Sequence, residues 1–433
     1  MKKYYINTMG CQMNVHDSEK MAGMLEEEGY TCAESPEDAD IIIFNTCSIR
    51  QKAEQKFFSE LGRLKPLRKR KPDIRIAVAG CVAQHKGKSI HKRAPHVDFI
   101  FGPQNIHKVR EIIHTSSDFV FVDDNPALAD MEFPAHREDR IRSWVNIMFG
   151  CNNFCSYCIV PHTRGREKSR AGSDIIKEIR GLAEKGYKEV TLLGQNVNSY
   201  CSSVDFPTLL VEVNNIEGLE RIRFVTSHPK DLSPELVCVM RDLEKVCEHI
   251  HLPLQSGSTN VLKKMNRKYT YNDYMMKVEM LRREIPEIAI TSDIITGFPQ
   301  ETDEDHAATV KALREIGFDG LFAFKYSART GTKAADMEGH IPDKVRSERL
   351  YEIIETQNEL TDSKNSQIQG TIQEVLVEGY SDKSPEIFTG RTRTNKIVLF
   401  PVHSSLKPGD IVQARIEKTN RHTLDGTVIS LNT

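Results

Sequence analysis

The chain has 433 residues, of which 39% are hydrophobic and 28% charged, and its formal net charge at pH 7 is −2. This length allows two or three domains, and the near-neutral balance excludes a protein that attracts nucleic acid through bulk charge alone. No stretch approaches the roughly 18 apolar residues of a membrane span, and the N-terminus enters a predicted strand without a signal peptide. We therefore expect a cytoplasmic protein without membrane contact, whose ten cysteines serve metal or redox chemistry rather than disulfides.

The first 122 residues alternate short apolar runs with helical stretches, a pattern that predicts a parallel sheet with βαβ crossovers. Three predicted strands each lead into a cysteine: 4–6 into Cys11, 40–44 into Cys47 and 74–79 into Cys81. Ligands of open α/β sheets bind beyond the carboxyl ends of the strands, so these thiols should converge on one edge. We interpret them as a metal-binding set. The alternative is three unrelated buried thiols, because free cysteines are commonly buried.

Two segments interrupt or leave this pattern. A basic run at 63–72 holds six cations and no acid and has two interpretations, a solvated loop after a helix or an RNA contact. Residues 123–139 contain two prolines and no periodicity, which predicts a linker.

From residue 140 to 366 the alternation resumes with longer units and ends in a long amphipathic helix at 343–366. The predicted strands are 147–149, 189–193, 223–226, 249–252, 289–295 and 321–324. Each is followed by a polar or glycine-containing loop and a helix, which predicts a (β/α)₆ partial barrel whose chemistry gathers at the strand carboxyl ends. His228 and His251 lie at such ends, either as general bases or as residues that orient loops. Cys201 lies nearby without an assigned role.

The loop after the first barrel strand spaces Cys151, Cys155 and Cys158 as C-x-x-x-C-x-x-C. Iron–sulfur clusters are held by cysteine thiolates, and a four-iron cubane normally takes four of them. Three thiolates therefore leave one iron without a protein ligand, where a small molecule can bind. The alternative is a zinc site completed by His162, but structural zinc usually has four ligands, commonly in C-x-x-C pairs.

The last segment, 367–433, changes to short strands with glycine and proline turns, which predicts a small β-barrel. Its predicted strands are 371–378, 387–392, 397–400, 411–417 and 423–429. Arg391, Arg393 and Lys396 are candidate contacts for nucleic-acid phosphates, with ordinary charge on a β-hairpin as the alternative.

Taken together, these motifs resemble the radical S-adenosylmethionine methylthiotransferases over nearly the whole chain. The elements 10–14, 45–50 and 79–81 resemble the N-terminal domain of that family, and 151–167 resembles its radical domain. The β tail resembles a TRAM domain, an RNA-binding module. Among the branches of the family, the motifs GCQMN and NTCSIR are most similar to the branch that modifies isopentenyladenosine in tRNA.

The resemblance implies a division into a methylthiotransferase N-terminal domain (1–122), a linker (123–139), a radical domain (140–366) and a TRAM domain (367–433). It implies two 4Fe–4S clusters, one on each cysteine triplet, and two S-adenosylmethionine molecules per turnover. Tyr157, Gly194, Gly297 and Glu301 are the candidates for binding S-adenosylmethionine. Glu301 has an alternative as an acid in the first turn of a helix, where the helix dipole favours it.

The implied reaction transfers a methylthio group to carbon 2 of N(6)-isopentenyladenosine next to the anticodon of tRNA. The implied partners are that tRNA and an electron donor such as flavodoxin or ferredoxin, and we expect a monomer. Two alternatives share the chemistry: the substrate is threonylcarbamoyl-adenosine in tRNA, or an aspartate of a ribosomal protein. A third is a non-catalytic iron–sulfur protein that binds RNA.

Overall fold

The computed structural model describes residues 1–47, 51–115, 118–125, 127–128, 131–137 and 139–431, with the backbone alone at 51–54. Its first part contains strands β1 (Lys3–Met9), β2 (Thr31–Cys32), β3 (Ile41–Thr46), β4 (Arg75–Gly80), β5 (Phe99–Phe101) and β6 (Phe119–Phe121). Its helices are α1 (Gln12–Glu27), α2 (Gln51–Arg70), α3 (Cys81–Lys86), α4 (Ser89–Arg93) and α5 (Glu111–His114).

These strands form one parallel sheet in the order β2-β1-β3-β4-β5-β6. Every residue of β3 is buried, as expected of a parallel strand covered by helices on both faces. The predicted parallel sheet is therefore confirmed, with β5 and β6 as additional short strands. Most of the basic run at 63–72 lies on α2 rather than in a loop, and Arg68 there forms an ion pair with Asp98.

In its described part, the predicted linker at 123–139 contains no strand and no α-helix, and it packs along α1. A Cβ on Gly23 of α1 would lie 2.6 Å from the carbonyl carbon of Pro134, so the two backbones approach closely there. This segment therefore lies against the first sheet's helix on its way to the central part of the chain.

The central part contains strands β7 (Arg142–Asn146), β8 (Met148–Phe149), β9 (Lys168–Ser169), β10 (Glu189–Leu193), β11 (Arg221–Phe224), β12 (His249–His251), β13 (Ala289–Thr296) and β14 (Gly320–Lys325). Its helices are α6 (Val160–Thr163), α7 (Gly172–Glu184), α8 (Phe206–Asn214), α9 (Pro234–Asp242), α10 (Thr259–Lys264), α11 (Tyr271–Glu284), α12 (Asp303–Ile316) and α13 (Asp343–Ser366).

Six of these strands form two three-stranded parallel sheets, β7-β10-β11 and β12-β13-β14. An isolated parallel bridge between Ile222 of β11 and Val246, just before β12, joins the two sheets. This is the predicted open (β/α)₆ barrel. One strand prediction was wrong: the first barrel strand is Arg142–Asn146, whereas 148–149 pairs antiparallel with 168–169. Within the described residues, no helix is both long and apolar enough to cross a membrane.

The tail contains strands β15 (Ile372–Ser381), β16 (Ser384–Thr392), β17 (Ile397–Pro401), β18 (Ile411–Thr419) and β19 (Leu424–Leu431). They close into a small barrel in the order β15-β16-β17-β19-β18. The predicted α/β fold class, with an N-terminal parallel sheet, a central partial barrel and a C-terminal β-barrel, is confirmed.

The C-terminal barrel packs against the amino ends of the central strands. Arg221, at the start of β11 and fully buried, donates to the carbonyl of Arg391 (2.6 Å) and to Glu374 (2.8 Å). Arg142, at the start of β7, pairs with Glu378 at 2.5 Å. The tail therefore lies opposite the strand carboxyl ends, where barrel chemistry gathers.

Candidate active site

The first cysteine triplet lies at one edge of the N-terminal sheet. Cys11 follows β1 and precedes α1, Cys47 follows β3, and Cys81 begins α3 directly after β4. These three strands are adjacent, and Met9 pairs with Thr46 across the sheet. The Cys47 thiol hydrogen-bonds to Cys11, and Cys81 interacts electrostatically with Cys11, so the structure brings the three sulfurs together.

Glycine is required beside two of these cysteines. A Cβ on Gly10 would lie 2.6 Å from the Cβ of Cys47, which leaves no room for a side chain. Gly80 has φ +89°, and its Cβ would lie 2.5 Å from both the Asn45 side chain and the Thr46 carbonyl. The glycine in each of the two motifs therefore permits close approach of neighbouring strand ends.

The hydrogen bond from Cys47, with a smaller contribution from the Arg164 guanidinium, lowers the pKa of the Cys11 thiol to about 6. A thiol with that pKa is mainly a thiolate at neutral pH, which is the form that binds metals. Burial raises the pKa of Cys81, although Arg164 acts in the opposite direction. The predicted motif that contains Cys47 ends in 48–50, which lie outside the described residues.

The second triplet lies in the loop after β8. Burial, with the charge of Cys155 as the next cause, raises the pKa of Cys158 to about 12. Burial also raises the pKa of Cys151, which interacts with Cys155 as well. The three sulfurs therefore lie close together, and three neighbouring thiolates would repel one another. A bound cation relieves this repulsion.

The loop from Lys264 to Tyr269 holds this cysteine loop in place. Ser156 N donates to the Met265 carbonyl at 3.0 Å, and Asn266 Nδ2 donates to the Phe154 carbonyl at 2.8 Å. Arg267, buried and missed by the sequence interpretation, donates to the Cys155 sulfur at 3.3 Å. Its other contacts are the hydroxyls of Tyr157 and Tyr269 and the Pro253 carbonyl.

Unsatisfied polar side chains gather at the carboxyl ends of β10, β11 and β12. The buried atoms there without a hydrogen-bond partner among the described residues belong to Gln195, Asn196, Ser227, His228 and Gln255. Thr226 and Gln255 also have left-handed backbones, with φ +70° and +74°. Strained backbone and unpaired buried polar groups both concentrate at functional sites, so this rim suits a polar ligand.

Two of the predicted S-adenosylmethionine residues are glycines in tight surroundings. A Cβ on Gly194 would lie 2.5 Å from Met148 Cγ, and one on Gly297, which has φ +69°, would lie 2.2 Å from Arg346 Cγ. Gly297 N donates to the Glu301 carboxylate at 3.0 Å. Both glycines therefore allow the backbone after a barrel strand to pack against a neighbouring side chain.

Glu301 is 4% exposed and accepts a 2.8 Å hydrogen bond from Arg349 of α13. Burial raises the pKa of this carboxyl, which Gly297 N and Arg349 partly offset. Helix α12 begins only at Asp303, with Thr302 as its cap, so the alternative of Glu301 as a first-turn acid is wrong. Glu301 instead fixes the loop at Gly297, and Arg349 is a second residue that the sequence interpretation missed.

The two strand-end histidines differ. Burial, with Arg267 as the next cause, lowers the pKa of His228 to about 2, so its ring is neutral at physiological pH. Its Nδ1 accepts from Lys230 N at 3.2 Å, which leaves the proton on Nε2. A neutral ring with that pKa is a weak base. His251 lies between the Thr291 hydroxyl (3.0 Å) and the Asp293 carboxylate (3.5 Å).

Comparison with known proteins identifies the family. Residues 3–102 match the uncharacterized protein family UPF0004, residues 145–313 the radical SAM superfamily and residues 367–429 the TRAM domain. A tRNA-2-methylthio-N(6)-dimethylallyladenosine synthase of Thermodesulfovibrio yellowstonii is 56% identical over 428 residues, 98% of each chain. One of Acetivibrio thermocellus is 49% identical and covers 99% of this chain and 91% of the relative. The chain belongs to this synthase family.

Solved structures support the fold at much lower identity. The radical S-adenosylmethionine methyltransferase TsrM of Kitasatospora setae, with cobalamin and a [4Fe-4S] cluster bound, superposes with a TM-score of 0.55. Sequence identity is 14%, and 77% of each chain is covered. This likeness shows a shared fold over about three quarters of each chain.

The match to the radical SAM superfamily, together with membership of the tRNA synthase family, implies a 4Fe–4S cluster and S-adenosylmethionine as cofactors. Among the described residues, no three His, Cys, Asp or Glu side chains are arranged to hold a single metal ion. Zinc requires all its sulfurs at about 2.3 Å from one centre, whereas a cubane binds each thiolate to a different iron. The clustered thiols, with an arginine beside each triplet, suit the cubane as a donor set.

The predicted phosphate contacts in the tail have other partners. Arg393 donates to both oxygens of Glu248 at 2.7 and 2.8 Å, in the loop before β12. Arg391 pairs with Glu378 at 2.8 Å, and Lys396 donates to Asn365 at 2.9 Å. All three face the junction between the tail and the central barrel. The geometry therefore favours a docking role over phosphate binding.

Proposed function

We propose that the protein transfers a methylthio group to carbon 2 of N(6)-isopentenyladenosine next to the anticodon of tRNA. The observation that carries the proposal is the pair of cysteine triplets, Cys11/Cys47/Cys81 and Cys151/Cys155/Cys158. They lie in a chain that is 56% identical to a tRNA-2-methylthio-N(6)-dimethylallyladenosine synthase. Each triplet holds one 4Fe–4S cluster with an iron that no cysteine occupies. The family matches at 3–102, 145–313 and 367–429 support the domains proposed at 1–122, 140–366 and 367–433.

When bound, the clusters and two S-adenosylmethionine molecules supply hydrogen abstraction, sulfur and methyl chemistry that side chains lack. The residues of the chain bind and orient. Arg267 places a positive charge beside Cys155, and the loop at Gly297, fixed by Glu301, positions S-adenosylmethionine. The neutral Nε2–H of His228 offers a hydrogen bond at the rim rather than a proton sink.

The substrate base lies in an RNA loop, and specific recognition of RNA mostly targets unpaired loop bases. A base that undergoes chemistry leaves its stack to enter the site, so the unsatisfied polar rim of the barrel supports its binding. We further propose that the chain acts as a monomer and receives electrons from a donor such as flavodoxin or ferredoxin.

The test compares isopentenylated and unmodified anticodon stem-loops with the anaerobically reconstituted protein, using mass spectrometry of the nucleosides. We expect about eight irons per chain and methylthiolation of the isopentenylated RNA alone. Equal turnover of the two RNAs contradicts the substrate assignment. Threonylcarbamoylated stem-loops and the ribosomal-protein substrate are assayed in parallel, and product on only one of these selects that alternative. A protein that never cleaves S-adenosylmethionine is a non-catalytic iron–sulfur protein.

A further inference from the structure

The backbone of Arg164 belongs to the central barrel, but its side chain reaches the N-terminal domain. It lies six residues after Cys158, at the end of α6, and its guanidinium donates to Asp17 of α1 at 2.9 Å. Both side chains are buried, with 5% and 4% of their surface exposed. A buried ion pair of this kind carries a large desolvation cost, which its surroundings must offset.

The surroundings of Arg164 are the first cysteine triplet. Helix α6, which ends just before Arg164, packs against α3, which begins at Cys81, and the guanidinium interacts electrostatically with Cys81 and Cys11. A cation from the central barrel therefore lies among thiols held by the other domain.

The next residue connects to the second triplet. The Gly165 carbonyl accepts a 3.2 Å hydrogen bond from Cys151 N. Gly165 has φ +77°, and a Cβ there would lie 2.3 Å from Gln104 Nε2 of the N-terminal domain. Arg164 and Gly165 thus connect the two cysteine triplets. The Arg164 side chain reaches the first triplet, and the Gly165 carbonyl binds Cys151 of the second.

We propose that Arg164 is a positioning residue through which the loop of the radical cluster completes the auxiliary three-cysteine site. This rests on the proposed function, because it takes Cys11, Cys47 and Cys81 as ligands of a second cluster. The guanidinium offsets the negative charge that a cluster and three thiolates bring into a buried space. The auxiliary cluster is therefore retained only when the two domains are docked, and the Arg164–Gly165 turn keeps the two clusters in a defined relative position.

The test isolates each cluster. One background replaces Cys151, Cys155 and Cys158 by Ala, and the mirror background replaces Cys11, Cys47 and Cys81. Arg164→Gln and Arg164→Lys are placed in both and in the otherwise intact chain, and iron release to a chelator is timed anaerobically. Arg241→Gln is the matched control, because it removes an arginine from an ion pair with Glu284 on the surface.

In the background that keeps the auxiliary site, Arg164→Gln should release iron roughly tenfold faster or more, because it leaves Asp17 buried without its counter-ion. Arg164→Lys should give an intermediate rate, since lysine keeps the charge without the planar fork. In the mirror background, release should match that of Arg241→Gln. In the intact chain, cleavage of S-adenosylmethionine should persist while methylthiolation falls.

Unchanged iron release from the auxiliary site overturns the proposal, and so does equal acceleration in both backgrounds, which would indicate general loosening of the fold. Asp17→Asn gives a second measurement that keeps the arginine. It should also speed iron release from the auxiliary site, and no change there counts against the proposal. If the unsubstituted chain binds iron on only one triplet, the two-cluster function itself fails, which is a distinct result.

Discussion

Three buried histidines, His16, His228 and His249, are held neutral by their surroundings. Burial is the largest cause in each case and lowers all three pKa values, that of His228 to about 2. The unfolded chain binds a proton at each of these rings below pH about 6.5, whereas the folded chain does not. Stability is therefore highest above that pH and falls as the pH decreases towards the folded pKa values.

Below pH about 6.5, each neutral histidine should lower the free energy of unfolding by about 1.4 kcal/mol for every unit by which the pH falls. His249→Gln tests this, because glutamine keeps a partner for the Thr291 hydroxyl, which lies 3.3 Å from His249 Nε2. Between pH 7.5 and 5.5, the free energy of unfolding of the variant in urea should fall by about 1.4 kcal/mol less in total than that of the unsubstituted chain. Identical slopes for the variant and the unsubstituted chain would show that His249 protonates in the folded state.

At the scale of elements, the loop between α10 and α11 orders the cysteine loop of the radical site. Asn266 and Lys268 adopt left-handed backbones, with φ +59° and +64°, on either side of the buried Arg267. Non-glycine residues in that region cost about 1 kcal/mol or more each and persist where the surroundings require them. Here the requirement is the set of hydrogen bonds to residues 154–157.

Asn266→Ala should therefore speed iron loss from the radical cluster and lower the rate of S-adenosylmethionine cleavage, because the 2.8 Å bond to the Phe154 carbonyl is lost. Lys268→Gly is the control: it keeps the same backbone shape and should leave cleavage unchanged while stabilising the fold by up to about 1 kcal/mol. The measurements are 5′-deoxyadenosine formation and thermal unfolding. Normal cleavage by Asn266→Ala would show that the loop does not support the cluster site.

Several elements followed from local pattern alone. Strand β10 and helix α13 have the predicted bounds, 189–193 and 343–366. An apolar run between turn signals specifies the strand, whereas the predicted amphipathic character of α13 is not observed, since Arg349 and Asn365 are buried and Tyr351 is exposed. The first barrel strand was misplaced because β7 alternates half-buried and buried residues, whereas the more apolar 147–149 beside it bends into a different pairing.

At the scale of the whole molecule, the C-terminal barrel and the cluster sites lie at opposite ends of the central strands. The five residues of β10 span roughly 17 Å at about 3.3 Å per residue. An RNA that contacts both the tail and the site must therefore extend around the wall of the open barrel. The side chains of Arg391, Arg393 and Lys396 are already hydrogen-bonded within the protein.

Arg393→Ala distinguishes docking from phosphate binding. A phosphate contact would lower the salt slope of tRNA binding by about one unit. Because Arg393 donates to Glu248 and to the carbonyls of Glu244 and Val246, we expect an unchanged salt slope and a lower unfolding temperature. A lower slope with unchanged stability would restore the phosphate contact. Lys383→Ala, at the exposed β15–β16 turn, is a matched loss of charge away from the junction.

The sequence by itself determined the two cysteine triplets and the order of fold types along the chain, because these depend on spacing and periodicity. Its motifs also carried the resemblance to the family. Only the tertiary structure decided the partners of the charged side chains. Arg267 and Arg349 carry no local signal that distinguishes them from surface arginines. Arg164 lies in the 151–167 motif, but that motif does not reveal its partner, and Arg393 was predicted to contact phosphate. Which carboxylate or sulfur each one meets depends on how distant segments pack, and a partner more than a hundred residues away leaves no trace in local pattern.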